Sequence, residues 1–284
     1  MLSYVNRTHD VGYTLDRRLE GGFQGGAWRV QDADGQAAVL KWSTNAVWGP
    51  RVQQAAPVIA AARRAGWPTP AWLVVGQTTC GYPYQIQELS VGTAAVRVDD
   101  SLIREATPIL KKQRGLRPDT DQNYSRYAHR AVFVDGSGFQ KQLRNHSATT
   151  AGLLQEIVDW TAPYRDVTLT TDDLVHGEFH PENIMRIGDI ITALVDAQSV
   201  GKGSYLYDLA TMLCHAAVWD GEPGSINRLL AFARDAQPGA LEIVVGANVL
   251  GLVAYATAHH AAGADGDAAR ANELISIIRA RRWC

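Results

Sequence analysis

Cysteine is scarce in this chain. Its three cysteines, Cys80, Cys214 and Cys284, are far apart, odd in number and form no C-x-x-C pair. This distribution argues against both a disulfide framework and a structural zinc site. It is typical of a protein in a reducing compartment, and we expect a cytoplasmic location.

An excess of one charge is also lacking, as are a signal segment and a membrane span. The 284 residues include 27 Lys and Arg against 29 Asp and Glu, which gives no reason to expect a nucleic-acid partner. The N-terminus does not have the basic-then-apolar order of a signal peptide. The most apolar window, residues 239–258, includes Glu242 and Asn248. It therefore predicts a buried helix, and we expect no membrane contact.

Two common nucleotide-binding motifs are missing as well. Four glycines, Gly21, Gly22, Gly25 and Gly26, interrupt a region that otherwise alternates like β-structure, residues 13–42. No G-K-[ST] follows them, which excludes a Walker-type loop, and a strand rather than a helix follows, which excludes the dinucleotide fingerprint. Glycines between strands allow backbone N–H groups to face phosphate oxygens. A plain hairpin tip has the same composition.

A polar loop followed by two short apolar runs is the most informative segment. The loop, residues 176–183, reads HGEFHPEN, and Gly188-Asp189 between the apolar runs indicates a two-residue hairpin turn. If Ile187 pairs with Ile190, Asn183 lies opposite Leu194, two residues before Asp196. At about 3.3 Å per residue, the Asn183 amide and the Asp196 carboxylate can then converge on one hard cation.

Glu178 leads into that predicted metal site from the same loop. A carboxylate beside two metal ligands is the arrangement that phosphoryl transfer requires, because one group orients the attacking hydroxyl while the metal holds the phosphates. We therefore predict catalytic roles for Glu178, Asn183 and Asp196.

This segment resembles the catalytic loop and metal-binding strand of the aminoglycoside phosphotransferase family, whose usual form is H-G-D-x-x-x-x-N followed by I-D. It is also similar to the protein-kinase loop H-R-D-L-K-P-E-N. Only twelve residues separate Asp196 from Asp208, and no A-P-E sequence occurs. That spacing leaves no room for the activation segment of a protein kinase, so a small-molecule kinase is the better interpretation.

The resemblance implies an α+β, kinase-like bilobal fold. A small, mainly β N-lobe would comprise residues 1–89 and a larger, mainly α C-lobe residues 90–284. ATP or GTP, with Mg²⁺, would bind between them, under the glycine loop. Lys41 lies at the position of the strand lysine that contacts phosphates, and Glu88 at the hinge that contacts the base.

Two departures from the family pattern stand out. Glu178 replaces the catalytic aspartate and moves the carboxylate by about 1.5 Å. No Asp or Glu occurs between Lys41 and Glu88, so the helix glutamate that pairs with the lysine is missing, and Gln53 or Gln54 would have to replace it. A catalytically dead nucleotide-binding protein is therefore an alternative.

The remaining family positions predict support rather than chemistry. The resemblance implies that Asp208 accepts hydrogen bonds from the loop backbone, and we expect His176 to brace the same loop. Helices are predicted over residues 49–65, 100–113, 149–160, 205–218, 226–236, 239–260 and 267–281. Residues 115–140 show no clear period.

Acidic residues are concentrated in the second half of the chain. Residues 145–278 include seventeen Asp and Glu against six Lys and Arg, whereas residues 1–89 include six against eight. Acids near predicted helix ends, together with one loop histidine, are the candidate substrate contacts: Asp159, Asp172, Asp173, His180, Asp220, Glu222 and Asp235. Solvated helix faces would have the same composition.

We expect a polycationic substrate with a hydroxyl group, and we favour an antibiotic such as an aminoglycoside or a basic cyclic peptide of the viomycin or capreomycin type. The resemblance leaves choline, homoserine and sugars open. The oligomeric state is also open.

Overall fold

An antiparallel sheet near the N-terminus and a helical remainder form the α+β architecture that the sequence predicted. The computed structural model describes residues 1–19, 26–219 and 221–281. The predicted contacts of Gly21, Gly22, Gly25 and Asp220 lie outside these residues.

The N-terminal sheet has five antiparallel strands in the order β1-β2-β3-β5-β4. They are Thr14–Leu19 (β1), Ala27–Gln31 (β2), Ala37–Trp42 (β3), Trp72–Gln77 (β4) and Pro83–Glu88 (β5). Leu40 on β3 packs with Val30 and Ile86 in a small buried core. Because side chains alternate along a strand, Val39 and Lys41 lie on the opposite face of the sheet.

A helix that the sequence did not predict covers this small core. Leu2–His9 (α1) contributes Val5, which is fully buried, and the His9 ring nitrogen Nε2 lies 2.9 Å from the Tyr84 hydroxyl. Eight residues give too few turns for a clear helical period, which explains why the pattern was missed.

The other helices are Gly49–Arg64 (α2), Asp100–Gln113 (α3), Tyr124–Phe133 (α4), Gly138–His146 (α5), Ala148–Thr161 (α6), Leu206–Val218 (α7), Ser225–Phe232 (α8), Ala240–His259 (α9) and Ala264–Ala280 (α10). Seven of them lie where helices were predicted, whereas α4 and α5 occupy residues that had been left largely unassigned.

The apolar helix α9 is the centre of the C-terminal core. It is long and apolar enough to cross a membrane, but 72% of its most apolar window is buried inside the protein. Its buried residues pack mainly against α7 and α4. This is the environment expected for a core helix that is hydrophobic on all sides.

Five short strands complete the structure and hold the catalytic-loop candidate in place. They are Thr93–Ala94 (β6), Asp173–Val175 (β7), Ile184–Ile187 (β8), Ile190–Leu194 (β9) and Gly201–Gly203 (β10). β7 pairs with β10, and β8 lies between β6 and β9.

The predicted hairpin register is wrong by one residue. Ile187 pairs with Ile190 as expected, but an irregularity in the ladder brings Ile184, not Asn183, opposite Leu194. The Val195 N–H then donates to the Asn183 carbonyl over 2.9 Å. Asp196 therefore lies only one residue beyond the partner of Asn183. A bulge adds an unpaired residue, which the simple pairing rule does not anticipate.

Candidate active site

Lys41 and Asp196 meet across the cleft between the sheet and the helical part. Lys41 lies on β3 and Asp196 follows β9, 155 positions later, yet the Lys41 Nζ donates a hydrogen bond to Asp196 Oδ1. Burial opposes ionisation of Asp196, but the Lys41 ammonium favours it, and the pKa of Asp196 is lowered from its ordinary value. The Asp196 carboxylate is therefore ionised at neutral pH.

The backbone of Asp196 is itself unusual. Its φ of 60° and ψ of 36° lie in the left-handed region. A non-glycine residue in that region costs on the order of 1 kcal/mol, and such residues concentrate at functional sites. The conformation turns the chain sharply between β9 and the single helical turn Ala197–Ser199.

Asn183 presents an available amide oxygen beside this pair. Its Nδ2 lies 3.0 Å from the Glu178 carbonyl and 3.1 Å from His180 Nε2. Within the described residues, no hydrogen bond reaches its Oδ1. In the His180 tautomer that carries its proton on Nδ1, both amide N–H groups are directed to acceptors, and the oxygen is left to bind another donor or a cation.

The donor set fits a hard metal ion. An amide oxygen and an ionised carboxylate are ligands that Mg²⁺ accepts, with phosphate oxygens and water completing its coordination. The described residues contain no group of three or more His, Cys, Asp and Glu side chains that could hold a metal alone. A metal held by Asn183 and Asp196 would therefore need further ligands from a nucleotide.

Glu178 faces Asp196 from the loop. Burial and the Asp196 carboxylate raise the pKa of Glu178 to about 7, although the Lys41 ammonium lowers it. In the described structure, no hydrogen bond reaches its carboxylate. A carboxylate with a pKa near physiological pH is suited to accept a proton or to orient a hydroxyl.

Asp208 supports the loop from the side of α7. It is fully buried at the start of α7, and its two oxygens accept hydrogen bonds from the N–H groups of His176 and Gly177 and from the Gln113 amide, over 2.7 to 2.9 Å. Burial raises the pKa of Asp208 to about 7, while these three hydrogen bonds lower it.

His176 braces the loop, as expected. Its Nε2 lies 2.9 Å from the Val195 carbonyl, and its Nδ1 accepts from the Glu178 N–H over 3.2 Å. Burial lowers the pKa of His176 to about 4, so the ring is neutral at pH 7. These two hydrogen bonds tie the loop to Val195, directly after β9 and next to Asp196.

Tyr124, which the sequence did not single out, makes Gly177 obligatory. Gly177 has a φ of +89°, and a Cβ there would lie 1.9 Å from the Tyr124 hydroxyl oxygen. That hydroxyl donates to the Ser199 carbonyl over 2.7 Å. The tyrosine side chain thus packs directly against Gly177 of the loop. Only the tertiary structure reveals this contact.

His180 begins a short stack of rings. Its ring is parallel to that of His215, at 4.6 Å between centroids, and His215 contacts Trp219 edge to face at 4.6 Å. Burial lowers the pKa of His180 and, more strongly, that of His215, to about 3. Both rings are therefore neutral near pH 7.

The missing helix glutamate is not replaced from α2. Gln53 and Gln54 are exposed, and no hydrogen bond joins either to Lys41 in the described structure. The only anionic partner of Lys41 within the described residues is Asp196. The proposed glutamine substitutes are therefore wrong for this state of the protein.

Other predicted nucleotide contacts are placed as follows. Gly26 has a φ of +85° and directly precedes β2. The Glu88 side chain accepts from the Ala71 N–H over 2.9 Å and lies 3.2 Å from Arg63. Its carboxylate is thus bound to protein groups, whereas the predicted contact with the base is one of the hinge backbone and stays a prediction.

Several candidate substrate acids are already paired. Asp172 lies 3.4 Å from Arg117, and Glu222 lies 3.3 Å from Arg97. Asp173 is buried and accepts hydrogen bonds from the N–H groups of Gly115 and Tyr205. Its carboxylate therefore stabilises the fold and is not free to contact a substrate.

Asp159 and Asp235 remain exposed. Asp159 accepts a hydrogen bond from Gln155 on the same helix, α6. Neither acid takes part in an ion pair within the described residues, so these two keep an uncompensated negative charge.

Comparison with known proteins gives the same picture of the fold. The model of the phosphotransferase enzyme family matches residues 16–243. No curated protein sequence matches the chain significantly.

Solved structures resemble the chain over nearly its whole length at low identity. A thermostable mutant of aminoglycoside phosphotransferase APH(4)-Ia, in a ternary complex with ADP and hygromycin B, is 14% identical, with a TM-score of 0.70 over 96% of this chain and 97% of that one. Amicoumacin kinase hAmiN, in complex with AMP-PNP, Ca²⁺ and Ami, is 12% identical, with a TM-score of 0.65 over 96% and 93%. Macrolide 2'-phosphotransferase MphH from Brachybacterium faecium is 16% identical, with a TM-score of 0.60 over 95% and 96%. All three share the kinase-like fold.

Proposed function

We propose that this chain, which belongs to the phosphotransferase enzyme family, transfers the γ-phosphoryl group of ATP or GTP to a hydroxyl of a polycationic small molecule. Enzymes of this family are small-molecule phosphotransferases. The observation that carries the proposal is the convergence of Lys41, Asp196, Asn183 and Glu178, which come from two distant parts of the chain, in one cleft.

Each of the four side chains has one role in this proposal. Lys41 binds the α- and β-phosphates, for which it leaves Asp196 when the nucleotide arrives. Glu178 orients the acceptor hydroxyl and takes its proton late in the reaction, because the transition state of phosphoryl transfer is loose. The γ-phosphoryl group leaves the β-phosphate oxygen and bonds to the acceptor oxygen.

Asn183 and Asp196 would hold Mg²⁺, which when bound neutralises charge on the phosphates. The free Asn183 Oδ1 and the ionised Asp196 carboxylate support this assignment. Asp208, His176 and Tyr124 touch neither nucleotide nor acceptor in the proposal, and they only position the loop.

The proposed acceptor is an antibiotic, inactivated by phosphorylation. The excess of acids in residues 145–278 supports a cationic acceptor, and exposed Asp159 and Asp235 are its candidate contacts. Support also comes from the structural neighbours, whose names refer to aminoglycosides, a macrolide and amicoumacin. The ion pairs of Asp172 and Glu222 reduce the available negative charge, so the electrostatic support is weaker than the sequence indicated.

A coupled assay of ADP release tests the proposal. The panel comprises aminoglycosides, viomycin and capreomycin alongside choline, homoserine and simple sugars. We expect turnover of a cationic antibiotic, with a KM that rises with salt. Turnover of a neutral sugar alone would contradict the substrate class but leave the kinase assignment intact.

The rival is a nucleotide-binding protein without transfer activity, motivated by Glu178 in place of aspartate. Tight ATP binding with no ADP release for any acceptor would favour it. Activity that survives both Glu178→Gln and Asp196→Asn would contradict the roles given above.

A further inference from the structure

Two hydrogen bonds hold the side chain of Asn183, the amide ligand of the proposed metal site. Its Nδ2 lies 3.0 Å from the Glu178 carbonyl oxygen and 3.1 Å from His180 Nε2. A carbonyl oxygen can only accept, so the part of the amide that faces it must be the N–H₂ group. The second N–H of that group then points at His180, and Nε2 must accept it. The network therefore requires the His180 tautomer with its proton on Nδ1.

Helix α7 holds the ring of His180 in place. The ring lies parallel to that of His215, at 4.6 Å between centroids, and Trp219 contacts the His215 ring edge to face. His215 follows Asp208 by seven residues, which is two helical turns, so both side chains lie on one face of α7. Asp208 binds two N–H groups at the start of the loop. One helix face thus supports the loop at its start and again at His180.

The required tautomer leaves one atom of His180 without a partner. Its Nδ1 is buried, and no hydrogen bond reaches it within the described residues. A buried N–H without a partner destabilises a fold, because it loses its hydrogen bonds to water without replacement. A proton on Nε2 instead would set two donors against each other at the contact with Asn183. The ring therefore keeps its acceptor toward Asn183 although this is unfavourable for the unliganded protein.

The hydrogen bond to His180 restricts where the amide oxygen of Asn183 can point. With the Glu178 carbonyl as its sole acceptor, the amide could pivot about that contact and move Oδ1. With both N–H groups bonded, the plane of the amide is fixed, and so is the direction of Oδ1. No hydrogen bond reaches Oδ1 in the described part of the chain. Loss of a group that orients a metal ligand typically weakens metal binding by about 10- to 100-fold.

We propose that His180 is a positioning residue for the metal ion: by accepting the second amide N–H of Asn183, it directs Oδ1 toward the cation that Asn183 and Asp196 would hold. This inference rests on the function proposed above. It gives His180 a role that differs from the substrate contact predicted from the sequence.

Three substitutions separate the acceptor atom of His180 from its ring. His180→Gln removes the ring but can place Oε1 where Nε2 now lies. His180→Phe keeps an aromatic ring and loses the acceptor. His180→Asn also loses the acceptor, because its side chain is too short to reach Asn183, and its small size avoids any clash in the loop. If the ring only stabilised the loop, His180→Phe would be the milder change and His180→Gln the harsher one; the proposal expects the reverse.

Calorimetric titration measures the affinity of the full chain for AMP-PNP, once with EDTA and once with excess Mg²⁺. The ratio of the two Kd values is the gain in affinity from the metal. We expect His180→Phe and His180→Asn to reduce this gain by about tenfold and to leave the Kd in EDTA unchanged. His180→Gln should retain the gain. His146→Phe, an exposed histidine at the end of α5, is the matched control and should change neither Kd.

The outcomes distinguish this inference from the proposed function. A gain from Mg²⁺ that survives both His180→Phe and His180→Asn would overturn the role of His180 and leave the proposed function intact. A gain that His180→Gln loses as fully as His180→Phe would also overturn it, because the acceptor alone would then not explain the effect. A parent protein that binds AMP-PNP no better with Mg²⁺ than with EDTA would overturn it together with the metal roles of Asn183 and Asp196.

Discussion

The carboxylates on the two sides of the HGEFHPEN loop differ in their hydrogen-bond partners. Asp208 lies on the side of α7, and Glu178 and Asp196 lie on the side of the cleft. On the side of α7, Asp208 is fully buried, and three N–H groups donate to its oxygens. On the side of the cleft, no protein group donates to the Glu178 carboxylate within the described structure, and the Asp196 side chain accepts a hydrogen bond from Lys41 alone. Burial raises the pKa of both Asp208 and Glu178 to about 7.

The difference shows which carboxylates support the loop and which are available for chemistry. A carboxylate whose oxygens are paired with protein donors can do nothing further without breaking the framework. One that is desolvated and unpaired destabilises the unliganded protein and gains partners when a ligand binds. The pKa shift alone does not separate the two cases, whereas the hydrogen-bond partners do.

The largest expected effect is on catalysis, from a substitution on the cleft side of the loop. Glu178→Gln should reduce kcat by about 10² to 10⁴, the usual contribution of a positioned base. Glu182→Gln, on the same loop and exposed, is the matched control and should retain activity. The measurement is ADP release at saturating ATP.

Glu178→Gln should also stabilise the unliganded protein at alkaline pH. Its pKa in the folded state is raised to about 7, so folding favours the protonated form, and this contribution to stability is lost as pH rises through 7. Urea unfolding at pH 6 and pH 8 should show the larger gain at pH 8. A loss of stability at pH 8 would place Glu178 with the framework and erase the contrast with Asp208.

Gly177→Ala tests the contact between the loop and Tyr124. The added Cβ would meet the Tyr124 ring and hydroxyl in a backbone conformation that alanine disfavours. We expect a loss of about 3 kcal/mol or more in the free energy of unfolding. Gly188→Ala is the control, because it also has a positive φ but open space around it, and it should cost only about 1 kcal/mol. Equal losses would mean that Tyr124 moves aside easily.

Asp208→Asn should destabilise the protein by about 2 kcal/mol, because the new amide N–H₂ faces a donor and one charged hydrogen bond is lost. Asp189→Asn is the control. Asp189 is exposed and lies 3.5 Å from Arg104, so its loss should cost less than about 0.5 kcal/mol. Unfolding in urea measures both. If Asp208→Asn were as stable as the parent, the loop would be held by other contacts.

The smallest expected effect is a pH dependence from the buried ring stack. Burial lowers the pKa of His215 to about 3, below its ordinary value of 6.5. Stability is therefore fully present above pH 6.5 and falls by up to about 1.4 kcal/mol per pH unit below it. His215→Asn should reduce that slope between pH 6.5 and pH 5, whereas His259→Asn, which is exposed, should not. An unchanged slope in His215→Asn would mean that other groups dominate.

Local patterns in the sequence predicted most of the architecture. The helix at residues 100–113 was predicted with its observed bounds, because its apolar residues recur with a clear helical period and Asp99 caps its N-terminus. The same reasoning did not predict α4 and α5, because these two helices are short and separated by turn residues. The roles of the four cleft residues remain predictions that the geometry supports.

The charge of the acceptor side shows what the order of residues could not reveal. The acids in residues 145–278 outnumber the basic residues of that window by seventeen to six. Arginines from outside the window pair with four of them: Arg97 with Glu222, Arg104 with Asp189, Arg117 with Asp172 and Arg279 with Glu156.

The sequence by itself therefore predicted seven of the ten described helices, the main strands of the N-terminal sheet and the loop motif, since these depend on neighbours a few positions apart along the chain. Only the tertiary structure decided which charges remain free, which carboxylate is framework and why residue 177 must be glycine. Electrostatic interactions and steric contacts depend on distance in space, and here the partners lie tens to more than a hundred positions apart in the chain.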